Sequence, residues 1–181
     1  MATEFCPGAA AGVLLALAMM GCVMQPNPKT VHWDLRQGHA KTAVGWPAEA
    51  DDVYEVDRAD LTLDLPGGRR FQARGVSLRL FAAGDQVQVV AVMYPKTTLD
   101  DGYRQARSLS QEWQLRTDDL ERWRQEVVAG RARGVRDADE RAFVVMAGSL
   151  LAPGGPTPYA KTLDSQDAER PFLLDLEFQW V

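Results

Sequence analysis

Phe172, Leu174, Leu176, Phe178 and Trp180 alternate with Leu173, Asp175, Glu177 and Gln179. Only a β-strand places five large apolar side chains on one side of the backbone and the polar ones on the other. Such a strand needs a sheet with one buried face, and the C-terminal segment is expected to tuck into it. A second run narrows the architecture. Val87 to Met93 is apolar on both faces for half its length, as in a central strand covered on both sides. Just before it, Val76, Leu78 and Leu80 alternate with Ser77 and Arg79, and Ala82-Ala83-Gly84-Asp85 turns the chain, so these runs pair as a hairpin.

The cover for that sheet is legible next. Thr97 or Thr98 is suited to cap a helix, with Asp100 or Asp101 three residues on closing a capping box. Leu99, Tyr103, Ala106, Ser110 and Trp113 then share a stripe. Asp118 with Glu121 opens a second helix whose Leu120, Trp123 and Val127 share a face and which Gly130 should end. Arg116 and Thr117 leave almost no linker, which predicts a helical hairpin or one broken helix.

Elsewhere Val31, Trp33 and Leu35 alternate with His32, Asp34 and Arg36; residues 39–52 read as a loop; 53–56 and 61–65 are strand candidates; and 142–147 returns to strand. Pro153-Gly154-Gly155-Pro156-Thr157-Pro158 is the strongest breaker cluster. The predicted order is β-β-β-β-β-α-α-β-β, an α+β domain with a mainly antiparallel sheet and a helical hairpin packed on one face. At 181 residues the chain is one domain, and its net charge of −5 gives no general attraction to nucleic acid or to anionic lipid surfaces.

Phe5 to Met24 carries no charge, and its strongly apolar centre, Gly12 to Met20, has the length of a signal-peptide core rather than of a bilayer span. Met19-Met20-Gly21-Cys22 follows, and it resembles the lipobox of bacterial lipoproteins. The resemblance covers only the first 30 residues or so. It implies cleavage before Cys22, a diacylglyceride on that sulfur, and placement in the cell envelope facing the periplasm. Val23 rather than Asp after the cysteine implies the outer membrane. Residues 1–21 are then a signal peptide, 22–30 a polar, Pro-punctuated tether and 31–181 the folded domain. Cys6 would be removed, so no disulfide is expected.

The chemistry is sparse. Ser149 in Ala147-Gly148-Ser149-Leu150 lacks the second glycine of a nucleophile elbow, and neither a phosphate-binding glycine loop nor a CxxC pair occurs. His32, Asp34 and His39 could form a mixed ligand set, but they read better as the solvated face of a half-buried strand. Glu49, Asp51, Asp52, Glu55, Asp57, Asp60 and Asp64 read as solvated turns. No metal or other cofactor is expected. Two features suit contact with a protein partner: Trp46, an aromatic in the loop Gly45-Trp46-Pro47, and the cations Arg131, Arg133 and Arg136. The expectation is therefore a non-enzymatic envelope lipoprotein that binds a protein, as an inhibitor or immunity protein or an envelope-assembly accessory. The alternative is a carboxylate-dependent hydrolase of cell-wall or surface glycan with its acids drawn from residues 49–64.

Overall fold

A computed structural model describes residues 27–132, 143–164 and 172–180. The expected signal peptide with Cys22 lies outside the described residues, as do Arg133 and Arg136, and of Arg131 only the helical backbone is described. One sheet holds seven strands: β1 (Lys29–Asp34), β2 (Val53–Leu65), β3 (Arg69–Ala83), β4 (Gln86–Met93), β5 (Phe143–Ala147), β6 (Thr157–Asp164) and β7 (Phe172–Gln179). Their spatial order is β1-β2-β3-β4-β7-β6-β5. Helices α1 (Leu99–Trp113) and α2 (Leu120–Ala132) separate β4 from β5 along the chain. The fold is α+β, and its mixed sheet is antiparallel at every pairing but β1 with β2.

β7 lies inside the sheet, between β4 and β6, as its alternation requires. Phe172, Leu174, Leu176, Phe178 and Trp180 are all buried. The same pleat carries one apolar row across five strands, Leu78, Val92, Leu176, Ala160 and Met146, each opposite the next and each buried. Among the described residues no second layer roofs the other side of β4, contrary to the expectation for its two-sided apolar run. There Ala91 stands between Arg79 and Glu177 on the neighbouring strands, whose long side chains flank it.

Three segments depart from the sequence reading. The two runs at 53–56 and 61–65 are halves of β2, joined across register shifts between Val56 and Leu61, so four strands rather than five precede the helices. The acidic residues from Glu55 to Asp64 consequently sit on a strand and not in turns. β6 was not expected at all. The proline cluster hides its start, and its inward positions include the unassertive Ala160 and Thr162. Pro158 fits there because β5 ends at Ala147, opposite Tyr159, so the missing N–H breaks no ladder bond on that side. β1 also starts at Lys29, inside the expected tether, and α2 continues through Gly130 to Ala132.

The sheet is strongly curled. Phe178 lies level with Leu80 through Val90, yet its ring is 5.5 Å from that of Phe71, nine residues before Leu80 on β3. An extended strand would separate positions nine apart by about 30 Å. The bend is located at Gly75 (φ +62°) and at Arg58 (φ +51°), beside the register shifts. Curling brings the end of β1 back toward the β3–β4 turn. Ala40 bridges Gln86, the Val87 N–H donates to the His39 carbonyl at 2.8 Å, and His39 stacks on Trp180 at 5.2 Å. The connection from Leu35 to Asp52 can then return the chain for a parallel pairing without a crossover helix.

α1 begins as the sequence indicates. Thr98 is its N-cap and accepts from the Asp101 N–H at 3.2 Å, and the Asp101 carboxylate accepts from the Thr98 hydroxyl at 2.8 Å. Its buried positions are Gly102, Ala106, Leu109, Ser110 and Trp113. Trp113 sits edge-on to Phe71 and Phe178, at 6.0 and 5.1 Å. From α2, Trp123 meets Phe172 edge-on at 5.3 Å. α2 begins at Leu120, so Asp119 rather than Asp118 directly precedes it.

Candidate functional site

The open face of the sheet carries the polar half of each strand pattern, and two charged groupings form on it. The first lies across β1, β2 and β3. Asp64 is almost wholly covered, and it accepts from Arg70 Nε at 2.6 Å and from His32 Nε2 at 2.8 Å. Arg70 and then His32 hold its carboxyl low, at about 2. The cover over Asp64 is made by these two exposed side chains rather than by core, so water still screens the pair. Asp34, two residues beyond His32 on the same face, pairs with Arg36 instead. His39 is elsewhere, donating from Nδ1 to the Val87 carbonyl at 2.6 Å. The three candidate ligands therefore do not converge, and no cluster of His, Cys, Asp and Glu suited to a metal occurs among the described residues.

The second grouping lies on β7 and its neighbours. Asp175 and Glu177 point to the same side, between β4 and β6. Glu177 accepts from Lys161 Nζ at 2.6 Å. Asp175 is partly buried, level with Met93 on one side and Lys161 on the other. Burial, followed by repulsion from Glu177, pushes its carboxyl above the usual range, against the pull of Lys161 and Arg79. Next to Met93 opens a cleft of about 520 Å³ lined also by Glu55, Asp57, Arg58, Arg79 and Tyr94. Burial raises the Tyr94 phenol well above its ordinary value. Nothing in the sequence singled out Asp175, because its environment exists only once β7 lies between β4 and β6.

These two aspartates give opposite pH signatures. Asp64 has a depressed value in the folded state, so its stabilisation is present above the ordinary aspartate range and disappears as pH falls toward 2. Asp175 has a raised value, so it destabilises the fold at neutral pH, and that penalty fades as acid protonates it. Asp175→Asn is expected to raise the thermal midpoint at pH 7 and to leave it unchanged near pH 3. A midpoint lowered at pH 7 would show that the ionised carboxylate is a stabilising partner.

The remaining acidic residues are dispersed. Glu55 pairs with Arg79 at 2.6 Å, Asp52 lies 3.9 Å from Lys41, and Asp60 accepts from the Gly75 N–H at 2.9 Å. Within residues 49–64, Glu55 and Asp57 line the cleft beside Met93 together, Glu55 already paired with Arg79. Trp46 folds down onto the domain. Its Nε1 donates to the Ala50 carbonyl at 2.9 Å, its ring meets Tyr54 at 5.7 Å, and Lys41 lies over it at 4.8 Å. It stays partly exposed beside a small cleft with Pro47 and Ala48. No helix of the described residues is long and apolar enough to cross a membrane. Comparisons with protein-family models, curated proteins and solved structures find no match.

Proposed function

We propose that the chain is an envelope lipoprotein, lipidated on Cys22 and facing the periplasm from the outer membrane, whose folded domain binds a protein partner. The observation that carries the anchor is spacing. The lipobox-like Met19-Met20-Gly21-Cys22 ends only seven residues before β1 begins at Lys29, a separation suited to a short polar tether. The partner is an envelope protein, with this chain as its inhibitor or immunity protein or as an accessory of envelope assembly. Supporting a binding role is the engagement of Asp52, Glu55, Asp60 and Asp64 by separate cations and a backbone N–H. The contact residues are Trp46, held at the surface by Lys41 and Tyr54, and Arg131, Arg133 and Arg136. We further read α1 and α2 as one helical hairpin covering the buried face of the sheet, with Trp113 and Trp123 as its anchors.

A second reading, hydrolysis of cell-wall or surface glycan, draws support from Asp175, a partly buried carboxyl beside Glu177 and an open cleft. Its acids would be drawn from residues 49–64, where Glu55 and Asp57 line that cleft, with Asp175 beside Met93 at its edge. Fatty-acid labelling of the full chain should be lost in Cys22→Ser, and label retained at the same level would overturn the anchor. Changing Arg131, Arg133 and Arg136 to Glu should weaken capture of the envelope partner and leave the thermal midpoint nearly unchanged, because exposed charges contribute little to stability. Turnover of a wall fragment that Asp175→Asn abolishes would replace binding with catalysis.

A further inference from the structure

We infer that the bend of the sheet, where β1 begins against the middle of β2, is the membrane-facing surface of the domain and rests on anionic phospholipid headgroups, an inference that depends on the lipid anchor proposed for Cys22. Lys29, Arg58, Arg74 and Lys96 are exposed around this bend. Their proximity follows from the pairing. Lys29 lies opposite Ala59, the residue after Arg58; Ala59 lies opposite Val76, close to Arg74; and Ser77 lies opposite Met93, which Tyr94, Pro95 and Lys96 follow. The cleft at the bend brings Arg58 and Gly75, the neighbour of Arg74, together with Pro95, the neighbour of Lys96.

None of these four side chains makes an ion pair or hydrogen bond. Elsewhere among the described residues the cations are engaged: Arg36 with Asp34, Lys41 with Asp52, Arg70 with Asp64, Arg79 with Glu55, Arg104 with Asp101, Arg122 with Asp119, Arg124 with Asp100 and Lys161 with Glu177. Arg69 donates to the Glu112 carbonyl, and Arg107 lies over the Tyr103 ring. Arg116 alone joins the four as a described cation without such a partner, and it is on the α1–α2 link. The carboxylates at the bend are Glu55, Asp57 and Asp60; Glu55 is paired with Arg79 and Asp60 is occupied by the Gly75 N–H, so the local balance is positive on a chain of net charge −5.

Geometry supplies the occupant. Seven residues from Cys22 to Lys29 span at most about 25 Å, so a lipid on Cys22 keeps the bend beside Lys29 close to the bilayer. Cations within a Debye length of an anionic leaflet are attracted to it, and the attraction falls with salt.

The test is acetylation footprinting of the full lipidated chain in vesicles containing 30 mol% phosphatidylglycerol (about one lipid in three) or phosphatidylcholine alone. The chain has four lysines, so Lys29 and Lys96 report on the basic bend and Lys41, by the β3–β4 turn, is the reference. At low salt, labelling of Lys29 and Lys96 relative to Lys41 should fall about threefold or more on the anionic vesicles, and high salt should abolish the difference. Arg58→Asn with Arg74→Gln should abolish most of it without unfolding the domain, Asn being tolerated at the positive φ of residue 58. Equal labelling on both vesicles, or equal protection by inorganic phosphate alone, would overturn the inference. The mass of the Cys22 peptide from the same sample reports on the anchor separately: protection without acylation would sink the anchor while leaving the surface, and acylation without protection the reverse.

Discussion

Phe178→Ala is expected to destabilise the domain by about 3–5 kcal/mol, measured by urea denaturation. Phe178 is completely buried at the point where the curled sheet closes on itself. Its ring touches Phe71 from β3 and Trp113 from α1, and these two also touch each other, so one side chain joins β7, the folded-over β2–β3 hairpin and the helix. Removing it leaves a cavity whose walls belong to three elements that cannot collapse together. A loss below about 1 kcal/mol would mean that the curl is held elsewhere.

Gly102→Ala should be the second large effect, and its sign is the informative part. In an isolated helix the change stabilises by about 1 kcal/mol. Here a Cβ at position 102 would come within 2.1 Å of the Phe172 ring, a buried side chain in a sheet interior strand that cannot swing away. Overpacking of this kind costs about 1–3 kcal/mol or more. The expected net result is destabilisation, with partial recovery when Phe172→Leu makes room. Gly102→Ala that raised the thermal midpoint would place α1 farther from β7 than the structure has it.

Parts of the candidate site were legible for a plain reason. The His32 and Asp34 pattern announced an outward strand face, and that is where both lie. What each residue pairs with was hidden, because Asp64 reaches His32 across 32 positions and Asp175 meets Met93 across a strand pairing that no local pattern encodes. Trp46 was noticed as an aromatic outside any periodic run, but its descent onto Tyr54 and Ala50 depends on the path of the loop.

Local periodicity and capping chemistry, read from the sequence alone, determined β7 with its buried face, the β3–β4 hairpin, the Thr98 start of α1 and the apolar face of α2, because those signals lie within a few residues of one another. Tertiary structure decided the rest. It joined 53–65 into one strand across a bulge, made a strand of Thr157–Asp164 despite its proline, and set β1 parallel at an edge. It also curled the sheet at Arg58 and Gly75 so that Phe71 reaches Phe178, and gathered four unpaired cations around that bend. Each of these depends on which distant strands lie side by side. That pairing is selected by the burial of a shared apolar face over the whole sheet, a quantity no short window of sequence contains.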